Sequence, residues 1–326
     1  FVLALVTLFV RRAAPAAAAF VAIMLAFCLA DQTRWQPWVF QYTVLMAVVA
    51  LAASDGADLT GEERVLNLGR LIVAFTYIFS GLQKLNPNFM FVDFPWLVEP
   101  VTRSIPPVAK IVPVLGALAP FVQVGFGVGL LTRRWRRLSL GAAVAMHGLI
   151  LAMFGPLGHN WNNVIWPWTA AMALFDIVLF SATSDLAWLD VLSVRRDPAY
   201  WAAFALFAVL PLLSFCNRWD SYLSAALYSG NLTEAQIYLS DAGRAAVRPA
   251  LRRLAVHTSP NTNVLNIQRW AIEDLNVMPY PETRVYKEIA RSVCGEVRNP
   301  GQLVLIIREQ RLFGSAPESG FQCSEL

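Results

Sequence analysis

Long apolar runs that never alternate, such as "AAAAFVAIMLAFCLA" at 16–30 and "PWVFQYTVLMAVVALAA" at 37–53, limit this chain more than any other feature. A bilayer core takes about 20 apolar residues as a helix, and only helices or closed barrels satisfy backbone groups there. Barrel strands would alternate, so the runs predict helices. Composition agrees: 57% of residues are hydrophobic and 15% charged, against roughly 25% charged in ordinary soluble domains. The expected fold is an all-α polytopic membrane protein of about eight transmembrane helices, with a small C-terminal α+β module outside the membrane.

The eight spans are centred in 1–10, 14–30, 37–53, 67–84, 109–131, 138–154, 163–181 and 200–216. The first has ten residues before Arg11 and Arg12, and the chain opens on Phe1 without a starting methionine. An incomplete N-terminus is therefore expected, rather than a signal peptide. Arg11 with Arg12, "RRWRR" at 133–137, and Arg195 with Arg196 fall in alternate loops when eight spans are counted. The bias of Lys and Arg toward the cytoplasmic side then places 31–36, 85–107, 155–162 and everything after Cys216 on the outer side. The arginine cluster serves topology and anionic lipid; nucleic acid is not an expected partner.

Composition changes near residue 217, where charges become dense and nearly balanced. Two domains are expected, 1–216 in the membrane and 217–326 outside it. Within the second, 234–241 and 302–310 read as strands, and 242–254 and 283–293 as helices. Cys28 lies inside a span, Cys216 at the outer end of the last span, and Cys294 and Cys323 in the tail. In an oxidising compartment Cys294 and Cys323 would pair. No spacing of Cys or His predicts a metal site.

Four polar stretches converge on the outer boundary in this topology: "DQTRWQPWVFQY" (31–42), the end of "YIFSGLQKLNPNFM" (77–90), "GPLGHNWNNVIWPW" (155–168) and "FCNRWDSYLSAALYSGN" (215–231). Polar side chains near hydrocarbon are costly unless they face a cavity or a partner, so a pocket opening outward is expected. Lys84 lies at its centre, Trp35, Trp38, Tyr42 and Trp166 wall it, and His159 and Asn160 are placed to donate hydrogen bonds to a developing oxyanion. A desolvated lysine supplies a neutral amine able to act as a general base. The competing reading is a snorkelling lysine whose ammonium meets headgroups or Asp93.

"YIFSGLQKLNPNFM" resembles the Tyr-Phe-x-x-Gly-x-x-Lys-Leu-Asp-x-x-Trp segment of the vitamin K-dependent gamma-glutamyl carboxylase family and its bacterial HTTM (horizontally transferred transmembrane) relatives, sharing Tyr77, Gly81, Lys84 and Leu85. "DQTRWQPWVFQY" is similar to the family's Asp-Lys-Thr-Ser-Trp-Asn-Asn-His-Ser-Tyr-Leu-Tyr, sharing Asp31, Thr33, Trp35 and Tyr42, with Phe40 matched as an aromatic. The resemblance implies a helical scaffold in which Lys84 is the base that deprotonates a quinol at the outer face. Trp38 stands where the family has its histidine, and nothing in the tail resembles the large lumenal domain, so the shared scaffold is expected without glutamate carboxylation.

Three functions follow. One is an enzyme of a bacterial inner membrane, its C-terminal module periplasmic, using Lys84 as base on a quinol or another lipid-soluble substrate. A second is an accessory subunit packed against other membrane proteins, with "WAIEDLNVMPYPETRVY" (270–286) as docking surface. The third is a transporter, for which Gln123, His147 and Asp176 would line a path.

Overall fold

The computed structural model describes residues 13–54, 59–181, 188, 191, 197–309 and 317–326. The expected span 1–10, Arg11 with Arg12, and Arg195 with Arg196 lie outside the described residues. The chain divides into two compact units, one of residues 1–161 and 165–230, the other of 162–164 and 231–326. The division falls at Gly230, so residues 217–230 belong with the helical unit, where sequence composition alone sets the boundary at 216.

The described part of the helical unit is built mainly on seven apolar helices: α1 (Ala13–Ala30), α2 (Pro37–Ser54), α3 (Leu59–Gln83), α4 (Val112–Leu130), α5 (Arg136–Phe154), α6 (Ile165–Phe180) and α7 (Pro198–Ser214). Three stretches are long and apolar enough to cross a membrane: Gly61–Gln83, Val112–Leu130 and Arg136–Phe154. The other four are apolar but shorter, so a count of eight spans is not reached among the described residues. Large apolar side chains stay exposed on the outer faces, including Val114, Phe121 and Val128 of α4, Leu138 of α5, and Leu174 and Val178 of α6. Polar residues such as Gln41, Gln83, Gln123, His147 and Asp176 are buried instead. That inversion of a soluble domain's pattern suits helices solvated by lipid.

Two glycines allow α3 and α4 to approach closely. A Cβ on Gly81 would lie 2.7 Å from Val124 Cγ2 and 2.9 Å from the Pro120 carbonyl oxygen; one on Gly127 would meet Ile78 and the Ala74 carbonyl at about the same range, 3.0 and 3.1 Å. Small residues at such crossings are a recurrent device of membrane helices. Beyond α3, Asn86 donates to the carbonyls of Gln83 and Ser229, both at 2.8 Å, and accepts from the Phe89 amide at 2.9 Å. Gln83 donates to Ser214 Oγ at 2.7 Å. The polar end of the 77–90 stretch is thus fixed in place from both sides.

The second unit carries a five-stranded antiparallel sheet in the order β2-β3-β1-β4-β5, with β1 Glu234–Leu239, β2 Val256–Ser259, β3 Thr262–Asn266, β4 Leu303–Arg308 and β5 Glu318–Gln322. Alternate residues of β1, β3 and β4 point to one face, where Ile237 pairs with Leu265 and Leu305. Helices α8 (Asp241–Ala246), α9 (Pro249–Leu254), α10 (Ile267–Leu275) and α11 (Thr283–Cys294) complete the unit. Leu251, Leu254, Ile267, Tyr286, Ala290 and Val293 share a core with the strands. The single helix expected over 242–254 is two, because Pro249 forces the preceding Arg248 out of helical geometry, to ψ 149°. Strands β2 and β3 were hidden in a short polar sequence, although Pro260 and Asn261, the latter at φ 57°, mark the turn between them.

Cys294 and Cys323 are joined by a disulfide that links the end of α11 to the turn after β5. Within 270–286, Tyr280 is buried, as is Tyr286, whose hydroxyl donates to the Thr233 carbonyl at 2.9 Å. Burial, with the charges of Glu234 and Glu282, pushes that phenol upward from its ordinary pKa. Those tyrosines therefore stabilise the fold from inside instead of offering a docking surface.

Candidate functional site

The helical unit encloses a cavity of about 590 Å³, within the range of small-molecule sites. Its walls are mostly apolar and aromatic, drawn from α2 to α7 and the loops after α3 and α7. Phe89 and Phe207 on its wall come from two π-helical segments, Phe89–Asp93 and Ala205–Val209. Such segments are rare and recur at functional sites. On the side of α4 and α5 the lining includes Leu115, Leu118, Val122 and Leu149, which are also exposed on the outer apolar faces of these helices. The cavity therefore opens laterally between two helices, through an apolar rim.

A polar edge runs along α3, because Tyr77, Ser80 and Lys84 recur at helical spacing and all line the cavity. The Lys84 ammonium donates to Ser80 Oγ at 2.7 Å and to the Ser80 carbonyl at 3.0 Å, and it lies 5.8 Å from the Phe89 ring centroid. Asp93 contributes the carboxylate whose charge acts on it. Across the cavity, Trp168 donates to Gln41 Oε1 at 3.1 Å, which orients the Gln41 amide.

A polar cluster is buried at Tyr77. Its hydroxyl donates to Asp176 Oδ2 at 2.6 Å and lies 2.6 Å from His147 Nε2. His147 Nε2 and Asp176 Oδ2 are 3.8 Å apart. Relative exposures of 2% for Tyr77, 6% for His147 and 0% for Asp176 place all three out of contact with bulk water. Tyr77 and His147 line the cavity, and Asp176 stands behind them.

Of the residues placed at the outward pocket from sequence, Lys84 alone lines the cavity; Gln123 and His147, proposed there for a transport path, line it as well, and Asp176 does not. Trp35 packs with the Phe40 and Phe207 cluster, 6.4 Å from Phe40 between ring centroids. Trp38 is half-buried outside the lining. Tyr42 packs at 5.9 Å on Phe175, and its buried hydroxyl has no hydrogen-bond partner among the described residues. Trp166 donates to the carbonyls of Phe154 and Trp161, bracing the loop between α5 and α6. His159 stacks on Trp96 at 4.4 Å and its Nε2 contacts the Trp96 carbonyl at 2.7 Å, while the neighbouring Asn160 is exposed. The actual wall uses Phe40 and Gln41 in place of Trp38 and Tyr42, and Trp168 in place of Trp166.

The sequence groups His147 and Asp176 with Gln123 only as the lining of a transport path and does not show that they meet at Tyr77. One signal was available: Tyr77 and His147 stand nearly equally far from the ends of α3 at Gln83 and α5 at Phe154, so equal helical rise puts them at one depth. No family model, no curated protein and no solved structure matches the chain.

Proposed function

We propose that the chain is an integral protein of a bacterial inner membrane that admits a lipid-soluble molecule into the helical unit and acts on it with Lys84 as base. The cavity carries this reading: its interior edge is polar at Lys84, Ser80 and Tyr77, and its lateral rim is apolar at Leu115, Leu118 and Leu149. A hydrophobic ligand would enter from the bilayer through that rim and meet the lysine inside. Entry from lipid replaces the outward-facing mouth expected from loop positions.

A quinol suits the site, because its ring would lie among Phe79, Phe89 and Phe126 while a hydroxyl reached the amine. The Lys84 amine, when uncharged, accepts the hydroxyl proton and becomes an ammonium; Ser80 holds it in position and Asp93 offsets its charge. The resemblance of 77–90 to the carboxylase and HTTM segment supports the same assignment of Lys84. Trp38 stands where that family has histidine, and glutamate carboxylation is not part of the proposal. An eight-span topology with the C-terminal unit in the periplasm accords with the alternation of arginine-rich loops and with the Cys294–Cys323 bridge. The transporter reading has less support, since Val73, Leu130, Met172, Leu179 and Phe180 form an apolar cluster around the buried Tyr77.

The test is binding of a short-chain naphthoquinone, in oxidised and reduced forms, to the purified full chain in nanodiscs, followed by quenching of tryptophan fluorescence. Saturable binding weakened tenfold or more by Lys84→Ala is expected. Absence of saturable binding, or equal binding by the variant, would remove the proposal.

A further inference from the structure

The Tyr77 hydroxyl has a single proton and two neighbours at 2.6 Å. It can donate to one of them, so the other must donate to it. With Asp176 accepting, His147 carries hydrogen on Nε2 and donates to the tyrosine oxygen. With His147 accepting, Asp176 carries the proton. Both arrangements use the same heavy-atom positions.

The two ends of this line are also open. His147 Nδ1 and Asp176 Oδ1 are buried and have no hydrogen-bond partner among the described residues. Such orphaned atoms are costly and call for an explanation. His147 and Tyr77 form part of the cavity wall, whereas the neighbours that do not line the cavity are apolar: Val73, Leu130, Ala143, Leu179 and Phe180. The charged and titratable groups on the elements packed around the cluster are directed elsewhere. Arg70 of α3 donates to the Leu179 carbonyl at 2.8 Å and to Asn67 Oδ1 at 2.6 Å, and Arg136 of α5 donates to the Leu130 carbonyl at 3.0 Å. Lys84 is bonded to Ser80, Tyr42 of α2 packs on Phe175, and α4 presents the uncharged Gln123.

We propose that Tyr77, His147 and Asp176 form a proton-holding site that exchanges with the cavity alone, a second acid–base group beside Lys84. A proton leaving the cavity binds His147 Nδ1. The Nε2 proton then passes to the Tyr77 oxygen as the Tyr77 proton passes to Asp176 Oδ2. The cluster gains one proton and one unit of charge, no heavy-atom bond changes, and the reverse shift returns the proton to the cavity. This deepens the reading of Lys84 as a base, because a proton removed at one wall can be replaced from the other.

Infrared difference spectra between acid and alkaline pH, taken on the ligand-free full chain in nanodiscs, test the site without depending on turnover. A carboxyl C=O band that changes with pH is expected in the wild type. It should disappear in Asp176→Asn, shift in Tyr77→Phe and His147→Gln, and persist in Lys84→Ala. A band that ignores pH, survives Asp176→Asn, or is unmoved by Tyr77→Phe would overturn the proposal. Should Asp176→Asn fail to fold, Tyr77→Phe keeps the carboxyl in place and decides alone. A wild-type chain with this band but no quinone binding would sink the reading of Lys84 and leave the proton site standing.

Discussion

Ile237 and Asp176 are both fully buried, yet their surroundings have little in common. Around Ile237 the C-terminal unit packs Leu265, Leu305, Tyr286 and Val293 into a continuous apolar core, and its helix caps, such as Ser240 and Asn266, satisfy the backbone at the margins. Around Asp176 the helical unit gathers a histidine, a tyrosine and a cavity, and leaves two polar atoms without partners among the described residues. The first arrangement is what stability alone selects. The second sacrifices stability locally, which points to chemistry as its reason.

That contrast can be broken or sharpened by substitution. The largest effect is expected at Ile237→Ala, which leaves a cavity in a close-packed core and costs about 2–5 kcal/mol. Hydrogen exchange followed by mass spectrometry should show lost protection across β1, β3 and β4 while α3 to α6 keep theirs; equal losses in both units would mean that they do not differ as described. Lys84→Ala comes next, removing the amine that, once it has taken the hydroxyl proton, is a charged donor worth about 1.5–3 kcal/mol to the bound oxygen. It should weaken naphthoquinone binding about ten- to a hundredfold and leave the melting of the C-terminal unit unchanged.

Gly81→Ala should cost about 1–3 kcal/mol by overpacking, since the new methyl would collide with Val124 and the Pro120 carbonyl. Thermal unfolding in detergent measures it, and a neutral result would show that α3 and α4 are not held at this distance. The smallest effect belongs to Glu234. Burial pushes its carboxyl up from the ordinary 4.5, opposed by Arg308. The folded chain therefore holds this proton more tightly than the unfolded chain does. The contribution is fully present below the ordinary pKa and is lost as pH rises through the raised value. Glu234→Gln should flatten that part of the stability profile, with a change within about 1 kcal/mol. An unaltered profile from acid to neutral pH would contradict the assignment.

Much of the helical unit was legible in the sequence because apolar length alone sets where a helix can run: 37–53 was expected and Pro37–Ser54 is found, 138–154 was expected and Arg136–Phe154 is found. In the tail, "EAQIYL" and "LVLIIR" were legible as strands through β-branched and alternating residues, while "VHTS" was too short and polar to stand out. Lys84 was legible as a residue to weigh because a charge ends an apolar run there, although its position alone suits a snorkelling lysine equally, and only the fold places it on the cavity wall. The wall was not, since each residue turns the side chain by about 100°, and Trp166 and Trp168 consequently face different neighbours. Sequence reports how many aromatics lie at one depth; helix rotation decides which of them line the cavity. The meeting of Tyr77, His147 and Asp176 depends on how three helices cross, and that information is not local to any of them.

The central claim is that a lipid-soluble ligand occupies the cavity beside Lys84. Photo-crosslinking of the full chain in nanodiscs with an azido-naphthoquinone, with the labelled residues mapped by mass spectrometry, tests it most directly. Labels concentrated on the cavity segments around Ser80, Phe89 and Met146, and displaced by unlabelled quinone, are the result the account predicts. Labels confined to outward side chains such as Phe121 and Leu174, and undiminished by competitor, would contradict it.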